Sequence, residues 1–206
     1  MDGQTILRIF LCGAGAFALG SVPVGLILTR RFSSKDIRTE GSGNIGATNV
    51  ARVAGLRLGL ITLALDLLKG AVPVAVARTL VPQAVETAMA VAAVAAVAGH
   101  CYPLYSRFTG GGKGVATACG AFLTLAPWAC LTALAVFLAT VRFLNRVSPG
   151  SIFAAVTLPV GTWIFYGAGP ALAGAAVAAV LVVFRHRENI SRLLAGKEPP
   201  FFKKSR

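Results

Sequence analysis

Glu40-Gly-Ser-Gly-Asn-Ile-Gly-Ala-Thr-Asn-Val-Ala-Arg52 is the stretch on which the reading of this chain turns. It sets Gly41, Gly43 and Gly46 among Ser42, Asn44, Thr48 and Asn49, and it closes on Arg52. Glycines let backbone N–H groups come close to a ligand. Small polar side chains there can donate to an anion, and an arginine can fork onto a phosphate. Successive N–H groups in such a loop form an anion-binding concavity, better still where a helix starts at its end. Two long apolar runs flank the stretch, so it reads as a phosphate cradle at a membrane surface. The same residues fit G-x-G-x-x-G, with Asp66 twenty residues beyond Gly46. That fingerprint counts only after a strand and within a βαβ unit. Here residues 33–40 are polar and Asp66 lies inside an apolar run, so a dinucleotide fold is set aside. A glycine-rich turn without a ligand is the simpler alternative.

Composition puts the whole chain in a membrane. Of its 206 residues 56% are hydrophobic and 13% charged, against ~25% charged in soluble domains. The expectation is one all-α, polytopic membrane domain over residues 1–206, with no room for a sizeable soluble one. Residues 5–28 are too long for a signal-peptide core and lack a basic leader, so they read as a span. The net charge of +13 suits loops facing an anionic leaflet, which makes membrane lipids rather than nucleic acid the partner. Cys12, Cys101, Cys119 and Cys130 follow no metal spacing and read as small buried hydrophobes.

Seven apolar runs follow one another, at about 5–28, 57–80, 87–101, 115–127, 128–144, 149–166 and 169–184. A full span takes ~20 residues, so the third to fifth are short, and tilt or flanking residues must make up the difference. Seven transmembrane helices are expected, with six as the alternative. Seven spans place seventeen cations on one side, the C-terminal tail included, against Arg8 and Arg78 on the other. This bias puts the N-terminus outside, the C-terminus in the cytoplasm and every polar motif on the cytoplasmic face of the inner (plasma) membrane.

Several motifs could carry chemistry on that face. Gly110-Gly-Gly-Lys-Gly114 is a second phosphate-cradle composition, with Lys113 as the point charge and the neighbouring N–H groups completing the shell. It is no Walker A loop, because Gly114 stands where Ser or Thr should bind magnesium. Two anion loops on one face would give two phosphates a receptor each. Asp66 and Lys69, at i,i+3 inside a span, form either a substrate-facing pair or a structural ion pair. Ser148 offers a hydroxyl contact or an ordinary helix cap. His186 and Asn189, also i,i+3, share a helix face if the last helix continues past the membrane. Residues 199–204 read as an interfacial anchor. The scattered acidic residues and two histidines make no metal cluster, and no cofactor is expected. A polar site on one face suits an enzyme. A transporter of phosphate esters or other small anions, the alternative, would be expected to carry polar residues at midplane.

Taken together, Gly41-Ser-Gly-Asn-Ile-Gly-Ala-Thr-Asn49 with Arg52, Asp66-Leu-Leu-Lys-Gly70, Gly99-His100, Gly111-Gly-Lys-Gly-Val-Ala-Thr117, Ser148 and His186-x-x-Asn-Ile resemble the bacterial acyl-phosphate:glycerol-3-phosphate acyltransferases. The likeness runs from Gly20 to Arg192. It implies a seven-span inner-membrane enzyme that moves a fatty acyl group from acyl phosphate to the 1-hydroxyl of glycerol 3-phosphate. The products would be 1-acyl-glycerol 3-phosphate and orthophosphate, in the first committed step of phospholipid synthesis. Carried over by motif, Ser42, Gly43, Asn44, Thr48 and Asn49 would receive the donor phosphate. Arg52, Lys113, Ser148, His186 and Asn189 would hold glycerol 3-phosphate and the reacting centre, with Gly111 and Gly112 in the second phosphate loop. The family is thought to let a substrate phosphate take the hydroxyl proton. That route is expected here too, on the ground that neighbouring cations keep His186 protonated or engaged. The resemblance departs at residues 108–113, one residue longer than the family pattern and without its basic residue before Gly-Gly-Lys.

Overall fold

A computed structural model of the chain describes residues 1–201. Ten α-helices and no strand occur among them. The first apolar run is filled by α1 (Gly3–Gly20) and α2 (Val24–Phe32), broken at residues 21–23, where Pro23 cannot donate a backbone hydrogen bond. After a polar loop comes the short α3 (Ala47–Ala54), then α4 (Leu56–Leu80) and α5 (Val85–Cys101). The remaining runs become α6 (Val115–Leu125), α7 (Pro127–Leu144), α8 (Val147–Tyr166) and α9 (Pro170–Arg185). Past His186 lies α10 (Arg187–Leu194). Pro127 and Pro170 stand in the first turns of α7 and α9, where a missing N–H costs nothing.

Every apolar run is therefore helical, but the helices differ in reach. By length and hydropathy five segments among the described residues can cross a bilayer, or six if α9 and α10, bent by 55°, count as one. The odd element is α6, whose 11 residues at 1.5 Å rise cover roughly half of a ~30 Å hydrocarbon core.

The bundle is centred on α5, against which α1, α4, α6 and α9 pack. Its buried face is a run of small residues, from Ala88 through Ala92, Ala93 and Ala96 to Gly99. Small side chains let backbones approach closely where lipid supplies no hydrophobic drive between helices. The same device joins α4 to α6, where a Cβ on Gly120 would lie 2.0 Å from the Leu67 carbonyl oxygen. Leu60, Phe153, Trp163 and Val180 point outward, as a lipid-facing surface requires.

Asp66 and Lys69 form an ion pair of 3.0 Å with both side chains buried. Lys69 Nζ also donates to the Val22 carbonyl, 2.9 Å away at the α1–α2 break, which accepts the Val24 N–H as well. The structural alternative thus accounts for Lys69, whereas Asp66 also reaches the wall of the cavity described next.

Candidate active site

A cavity of about 760 Å³ opens at the end of the bundle that carries α3, the Gly110–Gly114 loop, the α7–α8 turn and α10. Ser42 and Lys113, the anchors of the two anion loops, line it together. So do Asn44, Thr48, Asn49 and Arg52 from the first loop, and Ser148, His186 and Asn189 from the remaining motifs. Of the expected site residues, Gly43, Gly111 and Gly112 are not on its wall.

Two expectations about the first loop change. Asn49 is 2% exposed, and its side chain is spent on the loop itself. Its Oδ1 accepts the Ser42 N–H at 2.8 Å, and its Nδ2 donates to the carbonyls of Ile37 (3.0 Å) and Glu40 (3.2 Å). Asn49 therefore shapes the cradle rather than donating to a phosphate, and the Ser42 N–H is spent as well. Asn44 Oδ1 likewise takes the Gly46 N–H at 2.8 Å. What the loop offers an anion is the Ser42 and Thr48 hydroxyls, the Asn44 amide N–H groups, the first-turn amides of α3 and the exposed Arg52.

The second loop changes in the same way. A Cβ on Gly111 would meet the Cys101 carbonyl oxygen at 2.1 Å, and one on Gly112 would meet His100 Nε2 at 1.9 Å. These two glycines are there for close approach to the end of α5, where the Gly112 N–H donates to the His100 carbonyl at 3.0 Å. Gly110 and Gly114 take positive φ, 64° and 79°. The loop is clamped by Arg185, whose Nε and Nη2 donate to the carbonyls of Gly112 (3.0 Å) and Gly111 (2.7 Å). A guanidinium thus serves the segment that lacks its own basic residue before Gly-Gly-Lys. Lys113 takes no part in that clamp and lines the cavity.

His186 and Asn189 do share the site, although α9 does not run on past the membrane as a straight rod: His186 is the residue at the bend. His186 Nδ1 lies 2.7 Å from the Val182 carbonyl, which can only accept, so Nδ1 carries the proton and Nε2 is bare. Burial, and then Lys113, hold the imidazole pKa down at about 4 against the lift from the Val182 bond. The expectation that neighbouring cations keep this ring protonated is wrong in sign: cations oppose a further positive charge. Lys113 itself is lowered to about 8, first by burial, against the attraction of Glu198.

Glu198 is the residue that sequence reading missed. The segment after α10 folds back over the cavity instead of leaving as an interfacial anchor, and Glu198, Pro199 and Phe201 join the wall. Residues 202–206, with the Lys203, Lys204 and Arg206 charges counted above, lie outside the described residues. The Glu198 carboxylate accepts from Ser148 Oγ, from Asn189 Nδ2 (2.7 Å) and from Arg192 Nε (2.8 Å). Burial works against its ionisation, but these hydrogen bonds outweigh it and hold the carboxyl below its ordinary value. Backbone ties from Arg146 Nε to the Glu198 carbonyl (3.1 Å) and from the Phe201 N–H to the Asn145 carbonyl (2.7 Å) fasten the strap to the α7–α8 turn. Ser148 is accordingly no helix cap.

Beyond the polar mouth the cavity continues as an apolar slot. Leu63 and Leu67 of α4, Cys119 of α6, Leu134 and Phe137 of α7, Leu158 of α8 and Ala178 of α9 line it. Ser148 and Leu158 are ten residues apart on α8, which makes the slot about 15 Å deep at helical rise.

Known proteins resemble this chain in sequence and in fold. The profile described as glycerol-3-phosphate acyltransferase matches residues 10–196. A "Glycerol-3-phosphate acyltransferase" of Syntrophotalea carbinolica is 50% identical over 186 residues, covering 90% of this chain and 94% of the relative. One of Geotalea daltonii is 47% identical over 187 residues, 91% and 94% of the two chains. Among solved structures, PlsY (YgiH), an integral membrane glycerol 3-phosphate acyltransferase in its glycerol 3-phosphate form, superposes with a TM-score of 0.87 at 34% identity. That match covers 97% of this chain and 96% of the other. Its lysophosphatidic acid form gives a TM-score of 0.83 at 32% identity. With a profile spanning nearly its whole length and relatives at half identity, this membrane protein belongs to the glycerol-3-phosphate acyltransferase family.

Proposed function

We propose that the chain transfers a fatty acyl group from acyl phosphate to the 1-hydroxyl of glycerol 3-phosphate, giving 1-acyl-glycerol 3-phosphate and orthophosphate. The observation that carries this reading is one cavity with a cationic, hydroxyl-lined mouth and an apolar slot behind it. A phosphorylated fatty chain needs both halves. The acyl tail lies in the slot, and the donor phosphate rests on Ser42, Asn44, Thr48 and the start of α3. Glycerol 3-phosphate sits against Lys113, Arg52, Ser148, His186 and Asn189.

In that arrangement the 1-hydroxyl oxygen attacks the acyl carbon, the bond from that carbon to the phosphate oxygen breaks, and phosphate leaves. His186, neutral with Nε2 bare, accepts the hydroxyl's hydrogen bond and aims it. A group of pKa about 4 is a poorer proton acceptor than a phosphate, whose second pKa is ≈ 6, so the proton leaves with a substrate phosphate. Phosphate is a good leaving group, and positioning with charge stabilisation supplies the rest of the catalysis. The cations gathered at the mouth support a single membrane-embedded catalytic unit with the site on the cytoplasmic face of the inner membrane. The anion-transporter alternative fits less well, because the loop motifs collect around one mouth and the charged pair inside α4 is an ion pair braced on the Val22 carbonyl.

Purified protein given palmitoyl phosphate and glycerol 3-phosphate is expected to release orthophosphate and lysophosphatidic acid; release of neither ends this reading. The pH profile follows from Lys113. The cationic form exists below its pKa of about 8, so kcat/KM for glycerol 3-phosphate is expected to fall as pH rises through that value. A profile flat to pH 10 would mean that Lys113 does not act as the cation.

A further inference from the structure

The apolar slot stops where its helices close on one another. Leu158 of α8, Cys130 of α7 and Ala178 of α9 are the wall residues farthest from the mouth on their helices, and all three are buried. Just past this level small residues draw the helices together. A Cβ on Gly161, three residues beyond Leu158, would lie 3.2 Å from the Ala129 Cα, so α8 is shut against α7. One on Gly174, four residues beyond Ala178, would lie 3.2 Å from the Ala90 Cβ, so α9 is shut against α5. Gly120, next to Cys119, shuts α6 against the Leu67 carbonyl of α4. Phe122, further along α6, is wholly buried and packs in one core with Leu158 and Cys130. It fills the space beneath the slot, whose wall it does not join.

On α8 and α9 the wall above this floor is small, with Ala154, Ala155, Ala178 and Ala179, whereas Leu158 is the bulky side chain at its end. Resting on the acyltransferase reading, we infer that the floor is a ruler: Leu158 and Ala178 set the longest acyl chain that fits while the donor phosphate stays on the first loop. A chain too long by one step must buckle among packed side chains or lift its phosphate off Ser42 and Thr48. The first is overpacking, and the second loses the alignment on which the rate depends. A chain too short leaves the floor empty and forfeits only dispersion contacts. Activity therefore rises gently with donor length and falls steeply once the floor is reached.

The test gives the full chain, in phosphatidylcholine vesicles, glycerol 3-phosphate and in turn the saturated, even-numbered acyl phosphates from octanoyl to eicosanoyl. kcat/KM is expected to drop about 5- to 150-fold within one step of the series. Leu158→Ala, which removes three carbons from the floor, is expected to move that drop to donors about two carbons longer. Ala178→Val, which adds two, is expected to move it to donors about two carbons shorter. Opposite shifts separate a ruler from general damage to the bundle, which lowers every donor alike. A profile without a drop in the unaltered protein overturns the proposal without needing a variant to fold, because the methyl end then leaves the slot sideways into lipid. A drop that stays in place in both folded variants also overturns it. If no donor yields product, the acyltransferase reading falls, and the ruler with it.

Discussion

Lys113→Ala is expected to lower kcat/KM by about 10²–10³-fold, the loss typical of removing one preorganised charge-stabilising donor. The variant should still insert and fold, because Lys113 makes no hydrogen bond or ion pair with the described residues and its removal orphans nothing. The loop's shape is held elsewhere, by Arg185 on the Gly111 and Gly112 carbonyls and by the Gly112 N–H on His100. Ser42→Ala tests the other loop in the same way, since the Ser42 backbone stays tied to Asn49 when its hydroxyl is removed. Steady-state rates with palmitoyl phosphate, read beside size-exclusion profiles, separate chemistry from folding. Near-normal rates in both variants would remove the two-loop mechanism.

Glu198→Ala has the largest expected effect on stability. It takes one carboxylate away from Ser148, Asn189 and Arg192 and leaves buried donors without an acceptor. The Arg192 side chain is 36% exposed and water can replace that partner, so the expected cost is about 2–3 kcal/mol rather than the 3–5 of a fully buried ion pair. For a chain of this size that corresponds to a fall of roughly 4–12 °C in the thermal midpoint. The strap over residues 197–201 should become a protease target in the same variant. An unchanged midpoint would mean that the backbone ties to Asn145 and Arg146 suffice.

What the sequence disclosed, it disclosed through composition and spacing. Each apolar run is a helix, and residues scattered from Ser42 to Asn189 line a single cavity. What it hid were directions and distances. Asn49 sits in a motif of phosphate-binding type, yet only the course of its hydrogen bonds shows it to be a loop brace. Gly111 and Gly112 look like parts of an anion cradle until the end of α5 is seen pressed against them. Glu198 is one of seven acidic residues, and nothing nearby in the chain links it to Ser148, fifty residues earlier. The sign of the His186 shift needed burial, which spacing does not give. The apolar slot is built from Leu, Ala, Phe and Cys of five helices, none distinguishable in sequence from lipid-facing or core residues.

The Asp66–Lys69 pair bears on how the molecule is made. A lone Asp or Lys at the centre of an inserting helix carries a penalty of roughly 2.5–3.5 kcal/mol, and α4 carries one of each. Their pairing relieves part of that penalty, and the Val22 carbonyl, which takes a second lysine hydrogen bond, relieves more. Val22 lies in the first span to leave the ribosome. The fourth helix is therefore best accommodated when α1 and α2 are already waiting beside the translocon, so the order of synthesis matches the order in which partners are needed.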